Sequence, residues 1–234
     1  MSYFINIETS TDICSVALSQ DNNVIDFKEN HERNHAASIG VYIQELLNNN
    51  NLKVKDLAGV AICKGPGSYT GLRIGTSTGK GLAYQADIKL IAVDTLQAMA
   101  LHVADNFDYC CDKNNCIICS TIDAGRNEAY TELFDIQNNC IKKCEAIIFD
   151  ENSFNDILIN KKIIFVGNAV DKISKIIKNE NAIFINDVLP SATYMAKLTN
   201  KQFLNNDFVD VAYFEPFYLK DFIAIKSNKN VLIK

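Results

Sequence analysis

Residues 65–81 read GPGSYTGLRIGTSTGKG and hold six of the chain's 10 glycines. No other stretch restricts the fold as strongly, because glycines this dense either cradle a phosphate or let two backbones approach closely. Both phosphate readings fail on spacing. A dinucleotide fingerprint needs G-x-G-x-x-G, but Gly65, Gly67 and Gly71 leave three residues in the second gap. A P-loop needs G-x-x-x-x-G-K-[ST], but the interval from Gly75 to Gly79 is one residue short and Gly81 takes the hydroxyl position. What remains is a strand, a turn and a helix. Leu57 to Cys63 is apolar throughout, KGPG is a turn, and Ser68 is placed to cap a helix from about Tyr69 to Tyr84.

On that helix Gly71, Gly75 and Gly79 fall four apart and make one bare face, flanked by Leu72, Thr76 and Leu82. Glycine inside a helix costs about 1 kcal/mol relative to alanine, so three on one face need a reason, and close approach of another element supplies it. That element belongs either to the same domain or to a partner subunit. A second helix, from about Ala36 to Asn48, carries its own small patch of Ala36, Ala37 and Gly40 beside a stripe of Ile39, Ile43 and Leu47. Two bare faces favour an interface, and with Ser68 and Arg73 these residues form the expected contact surface. On this expectation Gly75→Leu would leave the lobe folded and hold the partner helices apart.

The rest of the chain alternates strands and helices. Met1 to Thr9, Cys14 to Ser19 and Val24 to Lys28 read as a three-stranded meander, and Leu90 to Val93 as a strand before a helix from Thr95 to Ala104. The polar, unpatterned stretch Asp105 to Asn115 marks a boundary between lobes 1–108 and 109–234. Beyond it the pattern restarts: strands at Ile117 to Asp123, Glu128 to Asp135, Ala146 to Phe149 and Ile163 to Val166, with helices near Ser153 to Ile159 and Val170 to Lys178. Three strands followed by mixed helices and strands thus occur twice, the arrangement of a two-lobed, actin-like α/β protein of the ribonuclease H-like (ASKHA) class.

Two motifs invite a metal. HERNH, residues 31–35, matches H-E-x-x-H, yet NVIDFKEN before it reads as a strand, and helical periodicity begins only near Ala36. His31 then precedes the helix, His35 begins it, and the one-turn spacing of a zinc pair does not form. In CCDKNNCIIC, Cys116 and Cys119 lie on a strand and point to opposite faces, whereas a zinc knuckle needs converging thiolates. Cys14, Cys63 and Cys119 read as small buried hydrophobes, and Cys110 and Cys111 as loop thiols. A net charge of −5, with arginine only at positions 33, 73 and 126, argues against a protein that grips a phosphate backbone directly. The N-terminus MSYFINIETS lacks a basic signal region, so the cytoplasm is the expected location.

FINIETSTDICSVAL, RNHAASIGVYIQELL, AGVAICKGPGSYTGLRIGTSTGKGLAYQADIKLIAVDTLQAMA, STIDAGRNEAYTELF, VGN and EPFYLK together resemble, in order and over nearly the whole length, the TsaB (YeaZ) family. The G-P-G-S-[FY]-T-G-[LV]-R-I-G core is its most specific part. The resemblance implies a two-lobed actin-like fold and a part in making N6-threonylcarbamoyladenosine at position 37 of tRNAs that read codons beginning with A. In that system TsaC makes threonylcarbamoyl-AMP, TsaD transfers the group, and TsaB and the ATPase TsaE assemble with TsaD. TsaB is implied to be a non-catalytic partner that pairs through its first and glycine helices, with itself or with TsaD, and to meet tRNA only indirectly.

The residues bear on that implication. Where TsaD-like proteins carry N-H-x-x-G-H, whose histidines hold the catalytic metal, this chain has DTLQAMA, with Thr95 and Met99 in place of the imidazoles. No metal or cofactor is expected in the isolated chain, and ATP or ADP only within an assembled complex. Glu8, Thr9, Ser10, Thr11 and Asp12 occupy the turn that meets phosphate in actin-like ATPases, here without its glycine, so a plain hairpin turn is the favoured reading, with a vestigial nucleotide turn of Glu8, Thr9, Ser10 and Thr11 as the alternative. Asp123, Arg126 and Glu128 resemble the family's D-A-R-x-x-E segment with the arginine one residue late, and Lys220 stands for the arginine of E-P-x-Y-L-R. The competing expectation is an enzyme, an ATP-dependent transferase or a peptidase.

Overall fold

The computed structural model describes residues 1–32, 34–106 and 115–219. The chain opens with an antiparallel meander of β1 (Tyr3–Glu8), β2 (Cys14–Gln20) and β3 (Asn23–Asn30). α1 (His35–Asn49) leads to β4 (Gly59–Cys63), α2 (Tyr69–Ala86), β5 (Lys89–Val93) and α3 (Thr95–Asp105). The order is β3-β2-β1-β4-β5, with β1, β4 and β5 parallel. The second half repeats it with β6 (Cys116–Asp123), β7 (Glu128–Phe134), β8 (Cys140–Ile148), α4 (Asn155–Leu158), β9 (Lys162–Gly167), α5 (Val170–Ile176) and β10 (Ala182–Ile185). Its sheet, β8-β7-β6-β9-β10, has the same connectivity and the same mixture of antiparallel and parallel pairs. A 3-10 turn at Ala192–Tyr194 and α6 (Ala196–Leu204) follow.

Alternation along β1 explains the layering, because successive side chains of a strand point to opposite faces. Ile5 and Ile7 meet α1 and α2 through Ile39, Ile43, Leu46 and Ala83, while Phe4 points to the other face with Ala61, Ile91 and Val93. Helices from both halves then fill the space between the sheets. α3 follows β5 of the first sheet but sets Leu96, Met99, Ala100 and Val103 against Ile118, Ile122, Phe134 and Ile164 of the second. Met195 and Leu198, at and within the start of α6, pack on the first sheet. Each large side chain so buried contributes about 1.5–3 kcal/mol, which welds the halves together.

The packing therefore does not follow a cut at residue 108. α3 lies before that point and packs with the second sheet, and α6 lies after it and packs with the first. The C-terminal segment continues round the first sheet. Val209 N donates to Leu90 O (3.0 Å) at the β5 edge, Lys80 Nζ to Ala212 O (3.0 Å), and Phe217 N to Lys64 O (2.7 Å). Among the described residues no helix is long and apolar enough to cross a membrane.

Candidate functional site

The glycine segment forms the strand, turn and helix that its spacing demands, but the bare face turns inward. Ser68 caps α2, its Oγ accepting from Gly71 N at 3.2 Å, and its own N donates to Ser10 O at 2.6 Å. A Cβ on Gly71 would overlap Thr9 O, one on Gly75 would overlap Thr9 Oγ1, and one on Gly79 would overlap Ile62 Cγ2. All three glycines are buried against their own sheet. The expectation that they receive a partner helix is corrected. They let α2 lie close to the β1–β2 turn and to β4, so Gly75→Leu would disturb the lobe itself.

The same approach closes the turn expected to face phosphate. Glu8, Thr9 and Ser10 are 1%, 0% and 1% exposed. Ser10 N donates to Glu8 Oε1 (2.7 Å), Thr95 Oγ1 to Glu8 Oε2 (3.2 Å), and Thr9 N to Cys63 Sγ (3.3 Å). Burial raises the Glu8 carboxyl above its ordinary range, against the pull of those hydrogen bonds. Gly67 sits so tightly on Ser10 that any Cβ there would overlap Ser10 O. Glu8, Thr9 and Ser10 are thus covered by protein, and the alternative of a vestigial nucleotide turn is corrected for these three. Thr11 and Asp12, at the far end of the turn, line open space, a cavity of about 520 Å³ between the starts of α1 and α2 that Asn34, Ala36, Ala37, Ser68 and Ile74 also line.

Around that cavity lies the part of the expected surface that does face solvent. Ala36, Ala37, Gly40, Ser68 and Arg73 are exposed, and a Cβ on Gly40 would meet nothing within 4 Å. Val41 of α1 is 50% and Tyr84 of α2 83% exposed, so each helix also presents an apolar side chain to solvent. Arg73 lies over the Tyr69 ring at 4.2 Å and donates to Tyr218 Oη at 3.4 Å, which ties the C-terminal segment to α2.

HERNH straddles the helix start. His31 lies outside α1, with Nε2 3.8 Å from Glu29 Oε1, and His35 is its first residue, with Nε2 donating to Thr11 O at 2.9 Å. Thr95 and Met99 are both spent inside the fold, the first on Glu8 and the second in the α3 core. Cys116 and Cys119 contribute to opposite faces of β6. Arg33, Cys110, Cys111 and Lys220 lie outside the described residues.

In the second half, the turn between β6 and β7 is exposed. Asp123 Oδ1 accepts from Gly125 N (2.6 Å) and from Lys172 Nζ of α5 (2.5 Å). The same ammonium donates to Arg126 O at 3.2 Å and to Glu128 O. Arg126 takes a left-handed conformation (φ 47°) with its side chain in solvent. Sequence reasoning missed Lys172, which nothing local marks, because its role depends on α5 lying over a turn about 45 residues upstream.

Residues 28–226 match the family model described as TsaD: tRNA N6-adenosine threonylcarbamoyltransferase. The chain belongs to that family. Within it the chain sides with the TsaB, or YeaZ, proteins. The tRNA threonylcarbamoyladenosine biosynthesis protein TsaB of Haemophilus influenzae is 36% identical over 129 residues, 53% of this chain and 50% of that protein. TsaB of Bacillus subtilis is 32% identical over 147 residues, 62% of this chain and 59% of that protein. The chain thus spans about half the length of the curated relatives it matches. The structure of YeaZ from Pseudomonas aeruginosa superposes with a TM-score of 0.78 at 20% identity, covering 94% of this chain and all of that one. That likeness shows a shared fold, the two-lobed actin-like one.

Proposed function

We propose that this chain is a non-catalytic scaffold subunit of the machinery that installs N6-threonylcarbamoyladenosine on tRNA. In this reading it pairs with a TsaD-like catalytic subunit through the outer side of α1 and α2. The observation that carries the reading is the split within the small residues. Gly71, Gly75 and Gly79 are consumed by internal packing, whereas Ala36, Ala37 and Gly40 leave an open surface beside a cavity, where another backbone can approach. The same surface serves a homodimer, so self-association and TsaD binding compete. A TsaE-like ATPase joins the heterodimer, ATP or ADP enters only with that assembly, and tRNA is met through the partner. The protein works in the cytoplasm.

Thr95 and Met99 support the non-catalytic part, since neither offers an imidazole and both are engaged inside the fold. The test is the pair Ala37→Glu and Gly40→Glu, which adds bulk and charge where the monomer has open space. We expect the doubly substituted chain to melt within about 2 °C of wild type, as surface changes do. Its affinity for itself and for TsaD, measured by sedimentation, should fall by at least about tenfold, or 1.4 kcal/mol. Unchanged binding with an unchanged melt would remove α1 from the interface.

A further inference from the structure

Strand β7 carries a carboxylate where its neighbours are apolar. Glu132 stands between Tyr130 and Phe134, on the face of the second sheet that α3 covers, and is 9% exposed. Directly across the ladder is Ser120, fully buried, whose Oγ has no hydrogen-bond partner among the described residues. From the first sheet Asp94 acts on the same place. Its Oδ1 caps α3 by accepting from Leu96 N (2.9 Å) and Gln97 N (3.1 Å), and its Oδ2 pairs with Lys64 Nζ at 3.3 Å. From β8, Cys140 and Cys144 lie within the electrostatic reach of Glu132, and the solvent-exposed Lys143 faces the cluster. A second acid therefore faces the Lys64–Asp94 pair at the seam where a helix of the first half enters the core of the second.

We propose that Glu132 is a proton-operated latch between the two lobes: as the neutral acid it seats the start of α3 on the second sheet, and as the carboxylate it loosens that seat. The neutral group keeps an O–H donor, and Ser120 Oγ, within the reach of a directly opposed cross-strand residue, is an open acceptor. Ionisation removes the donor and sets a negative charge against Asp94 in a site shielded from water, at a place where Lys64 is already paired. Burial first, and Asp94 second, push the Glu132 carboxyl up to about 7. The folded value lies above the unfolded one, so the stability of the seat is complete below about pH 4.5. It is lost as pH rises through about 7.

The experiment compares the full chain with its Glu132→Gln variant at pH 6 and pH 8.5, reading hydrogen exchange of the α3 amides after correction for intrinsic chemistry. In wild type the protection of α3 should drop roughly tenfold over that interval. The glutamine variant should hold its protection within about twofold, and because the histidines and cysteines that also titrate are common to both chains, the difference between the two drops belongs to Glu132. An equal drop in both chains, or no drop in wild type, overturns the latch. Should the variant fail to fold, a carbon-13 titration of the wild-type glutamates decides. A carboxyl that titrates near neutrality, with α3 amide shifts following it, upholds the proposal. A Glu132 that titrates below about pH 5, or near 7 with α3 unmoved, overturns it.

Discussion

In the first lobe the turn between β1 and β2 lies under protein, pressed by Gly67 and Gly71 and sealed through Glu8 and Thr9. In the second lobe the turn between β6 and β7 lies in solvent, held by the ammonium of Lys172. Both turns close the same strand pair in sheets of identical connectivity. The difference comes from the helix attached to the end of each sheet's fourth strand. After β4 a glycine-rich helix of 18 residues lies down on the turn, whereas after β9 a helix of seven residues reaches it only with a lysine side chain. A common fold therefore fixes where a turn sits, and its neighbours decide whether it is sealed or open. The sealed half presents the firm outer surface on which the proposed pairing rests.

The strongest challenge to this contrast is Gly71→Ala, one methyl group placed against Thr9 O. Because the obstacle is backbone, the first lobe should lose about 3 kcal/mol, and the melting temperature should fall by roughly 6–12 °C in a thermal melt. A change under about 2 °C would show that the turn is not pressed by α2. In the second lobe, Lys172→Met removes the ammonium that holds the turn. The cost should be only about 1 kcal/mol by denaturant melt, since Asp123 stays open to water, and a cost matching that of Gly71→Ala would erase the difference between the lobes.

Glu8→Gln sharpens the comparison through pH. The folded carboxyl lies above its unfolded value, so wild type loses the contribution of the neutral acid as pH rises. Glutamine keeps that contribution, so the variant should gain on wild type between pH 5 and pH 8 when urea midpoints are compared, within about 1 kcal/mol at pH 5. A variant that instead loses ground as pH rises would place a charged Glu8 in the sealed turn. The smallest effect is expected at Gly40, whose Cβ position is empty. Gly40→Ala should stabilise the monomer by up to about 0.5–1 kcal/mol through helix propensity, opposite in sign to Gly71→Ala. A destabilised monomer would mean that α1 also buries its small patch.

Much of the architecture is legible in the sequence because its signals are local. The stripe of Ile39, Ile43, Leu46 and Leu47 is buried as its period requires, and Ser68 caps α2 as its place after KGPG implies. The strand β10 and helix α6 escape sequence reasoning. β10 has four residues, and the pattern of α6, AKLTNKQFL, is largely polar. β8 is legible only at its end, because it is an edge strand exposed along its first four residues and lacks a continuous apolar run. Within the candidate site, periodicity puts Ala36, Ala37 and Gly40 on a solvent-facing helix side, and the same logic misplaces the three glycines of α2.

By itself the sequence determined the repeated α/β plan, the capped glycine helix and the family, since these depend on residue spacing within single segments and on motif order. Only the tertiary structure decided which way the glycine face points, because helical period defines a face but not what meets it. It also decided that α3 and α6 serve each other's sheets, that Lys172 rather than Arg126 secures the second turn, and that Glu132 faces Asp94. Each of these joins residues of separate elements, far beyond one turn of a helix or one repeat of a strand, and no local period carries information over that distance.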